Sequence, residues 1–167
     1  MSQLTESLNA LHQKSDFSCG NEMLDTYIHK QASQDVKRKL AVCFVINEKD
    51  TNQIKGYYTL SNNSIPLSHI PNNLQGKLPK SYESIPTILM GRLAVDNRFK
   101  GQGIGKLILV DALKRSWEIA KTIGSYAVVV DPIDQDAENF YLKYGFIKLP
   151  DSGKMFISMK TIDQLFK

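Results

Sequence analysis

The stretch from Gly91 to Leu113, GRLAVDNRFKGQGIGKLILVDAL, limits this chain more than any other. An apolar run comes first, then a short basic, glycine-rich turn, then a second apolar run. That pattern predicts strand, turn and helix in that order. Glycines 101, 103 and 105 fall where the turn becomes the helix. Several backbone N–H groups then converge at the positive end of a helix dipole, which makes a place to hold phosphates.

Three generic explanations of the turn compete. A dinucleotide fingerprint requires G-x-G-x-x-G. Gly101 and Gly103 fit, but the third glycine stands at 105, one place early, and the turn follows the third long strand rather than an opening β-α-β unit. A Walker loop requires G-x-x-x-x-G-K-S/T. Gly101 to Gly105 is one residue short of it, and Leu107 occupies the place of the magnesium-binding hydroxyl. A plain tight turn needs neither this glycine density nor the basic approach of Arg98 and Lys100.

The rest of the chain supplies the frame. Residues 1–20 read as an irregular or short-strand lead-in. Met23, Leu24, Tyr27, Ile28 and Ala32 recur at helical spacing behind Asn21, a capping residue, and predict a helix over 21–38. Its end is basic, with Lys37, Arg38 and Lys39, which suits the C-terminal dipole as well as an RNA contact. LAVCFVIN (40–47) and IKGYYTL (54–60) predict a hairpin. Residues 61–86, with four prolines, read as a long irregular loop with at most a short helical turn near Leu74, either a functional lid or a surface excursion. TILMGRLAV (87–95) predicts a strand buried on both faces. A helix over 104–122 turns Asp111, Lys114, Arg115, Glu118 and Lys121 to solvent, and Ile104, Leu107, Ile108, Leu113, Trp117 and Ala120 to a sheet. A buried strand at 126–130 follows, then a helix over 134–144 capped by Asp134 or Asp136 and stopped by Gly145. Strands at 146–149 and from Met155 complete an order, β-β-β-α-β-α-β-β, that implies a mixed α/β sheet with helices on both faces.

The chain has 167 residues, a length that predicts one domain over 1–167. Its apolar content of 42% against 23% charged residues is too high for a disordered chain. The formal net charge of +4 favours an acidic partner. Cys19 and Cys43 follow no zinc spacing and make no disulfide framework, and Cys43 sits in an apolar run as a buried thiol would. His12, His29 and His69 are scattered, so no metal is expected. The N-terminal MSQLTESLNALHQK lacks the apolar core of a signal peptide, and no apolar run approaches a membrane span. A cytoplasmic protein with no membrane contact is expected.

Lys100-Gly101-Gln102-Gly103-Ile104-Gly105 resembles the Q/R-x-x-G-x-G/A acetyl-CoA motif of the GNAT superfamily of N-acetyltransferases, with lysine in the first place. A register starting at Arg98 also satisfies the pattern; the first one puts Ile104, Leu107 and Ile108 where that helix packs. The resemblance implies the GNAT fold, a mixed and mostly antiparallel twisted sheet of about six to seven strands. It implies that backbone N–H groups from Gly101 to Lys106 cradle the CoA pyrophosphate. It also implies that Leu93, Ala94 and Val95 pair with the pantetheine.

Farther on, Asp134-x-x-Ala137 with Phe140-Tyr141 and Tyr144-Gly145-Phe146 is similar to the family's N-x-x-A-x-x-x-Y and its "GF" ending, with Asp134 replacing the usual Asn. By that resemblance Asp134 and Ala137 belong to the cofactor site and Tyr141 is the general acid, while Tyr144 is the structural tyrosine. The chemistry is coherent: a phenol of pKa ~10 near a thiolate of pKa ~8.5 can share a proton with the departing sulfur. No general base stands out, Asp96 and Glu83 being weak candidates. An α-amine of pKa about 7.7–8.0 is already partly neutral and needs little help.

Phe17-x-Cys19-Gly20 with Leu24-Asp25-x-Tyr27, Gly56-Tyr57-Tyr58-x-Leu60-Ser61, Leu89-x-Gly91-Arg92-Leu93-Ala94-Val95-Asp96 and Val130-Asp131-Pro132-x-Asp134 look like one branch of that superfamily. The branch is the GNAT toxins of bacterial toxin–antitoxin pairs, which acetylate aminoacyl-tRNA. It implies an aminoacyl-tRNA acceptor, a small DNA-binding antitoxin as partner, and a homodimer. Arg92, Lys30, Lys37 and Arg38, with Lys77 and Lys80, then become candidate phosphate contacts. Arg92 interrupts an apolar strand and must face an anion or solvent. A small amine or a protein N-terminus is the alternative acceptor, and a CoA-binding module without catalysis is the alternative role, against which Tyr141 argues.

Overall fold

A computed structural model describes residues 4–167. The strands are β1 (Glu6–Ser7), β2 (Val42–Asn47), β3 (Ile54–Pro66), β4 (Ser84–Val95), β5 (Ala127–Val130), β6 (Ile147–Lys148) and β7 (Met155–Ser158). The helices are α1 (Glu22–Thr26), α2 (Ala32–Lys37), α3 (Asn72–Gln75), α4 (Ile104–Ala120), α5 (Gln135–Lys143) and α6 (Met159–Phe166). The strands form one sheet in the order β1-β2-β3-β4-β5-β7-β6. β4 and β5 run parallel, while β1–β2, β2–β3, β5–β7 and β7–β6 are antiparallel. This is the mixed, mostly antiparallel sheet that the resemblance implies.

The backbone falls into two compact units. The first takes the chain up to Ser61 together with Met90–Ala112, the second Asn62–Leu89 with Leu113–Lys167. In the first, Phe17, Leu24, Tyr27, Ile28, Ala32, Cys43, Val45, Ile54, Tyr57 and Ala94 make a core. Alternation on β2 sends Cys43 and Val45 into it, as a half-covered strand requires. In the second, Ile65, Ile70, Ile85, Ala127, Val129, Leu149 and Phe156 pack with Leu67, Leu74 and Leu78.

That second core corrects the expected loop at 61–86. β3 continues to Pro66 and β4 starts at Ser84, so both ends of the segment are strand and only 67–83 is the irregular connection. Its prolines punctuate without unravelling: Pro66 ends β3, Pro71 precedes α3, and Pro86 stands exposed in β4 while its carbonyl accepts from the Tyr126 N–H at 2.8 Å. Leu74 does sit on a short helical turn.

Other expectations shift for local reasons. The helix at 21–38 is interrupted by a π turn at Tyr27–Gln31, where the Ala32 N–H reaches back to the Tyr27 carbonyl. Asn21 caps α1 by accepting from the Leu24 N–H at 3.0 Å. β4 is not buried on both faces: Gly91 is exposed and Arg92, Leu93 and Val95 are half-buried. On α4, Leu107 is 45% exposed, whereas Asp111 is half-buried and accepts from the Thr5 and Tyr58 hydroxyls, each at 2.6 Å. β5 is buried throughout, as expected.

Candidate active site

Two groups of residues singled out by the sequence are each assembled locally, one in each unit. In the first unit, Asp96 ends β4 and starts a 3-10 turn at Asn97–Phe99; the glycine turn follows. Gly101 has φ +83 and Gly103 φ +76, conformations that L side chains resist. A Cβ placed on either would meet nothing within 4 Å, so backbone conformation, not crowding, requires glycine there. Leu107 N–H donates to the Gly103 carbonyl at 3.1 Å, opening α4. The N–H groups ahead of it have no partner within the helix. Gly105 lies inside α4 and takes no positive φ. Gln102 and Lys106 are exposed, Ile104 is buried, and Ala94 packs in the core between half-buried Leu93 and Val95.

Gly56 serves the same place, and sequence reasoning gave it no part there. A Cβ on it would stand 3.0 Å from the Ala94 carbonyl oxygen and 3.3 Å from both Ile104 Cγ2 and Ile108 Cδ1. Its absence of a side chain lets β3 pass against β4 and the first turns of α4. A lone glycine inside a strand was the available signal.

Lys100 does not extend freely from the turn: its Nζ donates to the Cys19 carbonyl at 2.7 Å. Asp96 is no base. It is buried and accepts from the Ser18 N–H (3.1 Å), the Arg98 N–H (2.8 Å) and the Arg98 guanidinium through Nε (2.9 Å) and Nη2 (3.0 Å). Burial alone would raise its pKa, but these donors outweigh it and hold the carboxyl below the usual range. Glu83 is exposed just before β4.

Arg92 is half-buried and lies against an aromatic ring. Its guanidinium carbon lies 3.6 Å from the centroid of the Tyr27 ring. Tyr27 opens the π turn and donates its hydroxyl to Asp35 Oδ2 at 2.9 Å. Lys30 in that turn, and Lys37 and Arg38 at the end of α2, are exposed, as are Lys77 and Lys80 in the second unit.

In the second unit, Asp134 Oδ1 accepts from the Ala137 N–H at 2.8 Å and so caps α5. Gly145 has φ +95 and ends it. The N–H groups of Tyr144 and Phe146 both return to the Tyr141 carbonyl at 3.1 Å. Tyr141 is buried, with its ring centroid 5.5 Å from that of Phe140 and 5.1 Å from that of Phe146. Burial pushes its phenol well above the ordinary value, so the proton stays on at neutral pH. Tyr144 stacks edge-on against Phe140 at 5.0 Å, a packing role. Among the described residues, no group of three His, Cys, Asp or Glu is placed to hold a metal, and no helix is long and apolar enough to cross a membrane.

The model of the acetyltransferase (GNAT) domain matches residues 39–148. A tRNA-acetylating toxin of Mycobacterium tuberculosis is 32% identical over 130 residues, covering 78% of this chain and 75% of the relative. The solved structure of AtaT complexed with acetyl-methionyl-tRNAfMet superposes with a TM-score of 0.90 at 27% identity, over 98% of each chain. That of AtaTR bound with AcCoA gives 0.86 at 28%, over 98% of this chain and 97% of the other. A glycine cradle at a helix start and a buried, capped tyrosine helix, on a mixed sheet and in this company, identify the chain as a member of the GNAT acetyltransferase family, an acetyl-CoA-dependent N-acetyltransferase.

Proposed function

We propose that this enzyme acetylates the α-amino group of an aminoacyl-tRNA. What carries the reading is the near-complete overlap with AtaT, whose complex holds acetyl-methionyl-tRNAfMet. Acetyl-CoA supplies an activated thioester: the amine attacks its carbonyl, the carbon–sulfur bond breaks, and the thiol departs. The N–H groups from Gly101 to Lys106 bind the pyrophosphate, and Leu93, Ala94 and Val95 offer backbone groups to the pantetheine. Asp134 and Ala137 hold the start of α5. Tyr141 keeps its phenolic proton and shares it with the leaving sulfur. An α-amine is partly neutral at physiological pH, so attack needs no side-chain base. Arg92, Lys30, Lys37 and Arg38 meet RNA phosphates. A DNA-binding antitoxin is the partner, a reading supported by the likeness to the chain in the KacTA–DNA complex, and a homodimer is the working assembly.

The test is CoA release with charged tRNA, free amines and peptides in parallel. Turnover with charged tRNA supports the reading, and turnover with amines or peptides alone overturns it. Tyr141→Phe should lower kcat by about 100-fold or more while acetyl-CoA still binds as in the parent. An unchanged kcat removes Tyr141 from the mechanism.

A further inference from the structure

The approach to the glycine turn is tied to a short strap far away in the sequence. Asn97 N–H donates to the Ser18 carbonyl at 2.8 Å, and Ser18 N–H returns to Asp96 Oδ2 at 3.1 Å. Lys100 Nζ donates to the Cys19 carbonyl at 2.7 Å. Gly20 has φ +90, and a Cβ on it would stand 3.7 Å from Asn97 Oδ1 and 3.8 Å from Lys100 Nζ. The strap is itself anchored. Phe17 is buried edge-on against Tyr57, its carbonyl accepts from His29 Nε2 at 2.8 Å, and Cys19 N–H donates to Asp25 Oδ1 at 2.8 Å.

The glycine turn needs such an anchor. Gly101 and Gly103 have open space around them, and glycine loses more backbone freedom on ordering than any other residue. N–H groups converge on a ligand only if both ends of the turn are fixed beforehand, since ordering them on binding lowers affinity. α4 fixes the far end. The near end, Asp96 to Lys100, hangs on β3 by one bond, from the Asp96 N–H to the Lys55 carbonyl at 2.8 Å, and beyond it is held by Ser18 and Cys19. We propose that Asp96 and Lys100 are positioning residues for acetyl-CoA, acting through the Ser18–Gly20 strap to preset the turn. Lys100 works inward, on a carbonyl, and not on the phosphates themselves. The inference rests on the acetyl-CoA assignment of the turn and is independent of the acceptor.

Acetyl-CoA titration of the full chain tests it. Asp96→Asn and Lys100→Met should each weaken binding about tenfold, the loss typical of a charge-assisted bond. The KM for acetyl-CoA should rise in step while kcat at saturation stays within about twofold. Lys100→Arg, which can still donate to Cys19, should restore most of the affinity. Gly20→Ala leaves every charge in place and strains only the strap; about a fivefold loss is expected from its positive φ. Parent-like affinity in both Asp96→Asn and Gly20→Ala overturns the proposal. So does a weaker salt dependence of binding in Lys100→Met, which would put the ammonium on a phosphate. A parent protein that fails to bind acetyl-CoA would instead overturn the assignment of the turn, and this inference with it.

Discussion

Arg92 lays a full positive charge over a buried phenol ring. Such a contact is worth about 0.5–2 kcal/mol, depending on how dry it is. Arg92 as a residue is half-exposed, and under the proposed function its guanidinium also meets RNA. Arg92→Leu removes both uses. It should lower the thermal midpoint by a few degrees, about 1 kcal/mol, and flatten the salt dependence of charged-tRNA binding by about one unit of slope. Circular dichroism and filter binding over a salt series check the two separately. Sequence alone leaves out Tyr27 as a neighbour of Arg92 because the two are remote in the chain and no period links them. Asp134, Ala137 and Gly145 were legible for the opposite reason. Cap, first turn and stop are neighbours on one helix, and local chemistry names them.

Among the elements, α6 was the one the sequence reading passed over. Its signal was present: Met159, Ile162 and Phe166 recur at helical spacing behind Ser158, whose Oγ accepts from the Thr161 N–H at 3.2 Å. The apolar run into Met159 hid it by reading as a continuing strand. Trp117 on α4 fastens this helix. Its Nε1 donates to Asp163 Oδ1 at 3.0 Å, its ring lies 5.6 Å from that of Phe166, and Lys121 Nζ stands 3.5 Å from its face. Trp117→Ala should cost about 2 kcal/mol, read as a lower denaturant midpoint, because a half-buried aromatic and a bonded carboxylate lose their partner together. The segment from 61 to 86 was misread for a different reason. Proline density signals breakage, yet here prolines mark the ends of elements whose apolar residues, Ile65, Ile70 and Ile85, reach one core.

Across the whole molecule, burial raises several acidic groups in one direction. Cys43 is pushed from 9.0 up to about 12 and Cys19 to about 11, burial leading in both, and Tyr27, Tyr57 and Tyr141 go higher still. Each stays protonated in the fold after its unfolded counterpart has ionised. The stability these groups contribute is therefore fully present below pH 9 and falls as pH rises from 9 toward 12. Cys43→Ala should make the thermal midpoint decline less steeply between pH 9 and 11, measured by scanning fluorimetry. The family was legible at this scale because two motifs some forty residues apart agree. The division into two units was not, since its boundaries at Ser61 and Leu89 fall inside β3 and β4, where composition does not change. The π turn at Tyr27–Gln31 adds a point about chain length. The π turn takes up one residue more than an α-helical turn, so a chain one residue shorter there would close as an unbroken α-helix with everything beyond it still on its present faces. Lys37 and Arg38 would then keep their direction, whereas closing the π turn with every residue retained would turn the basic end of this helix by about 100° with no change in charge.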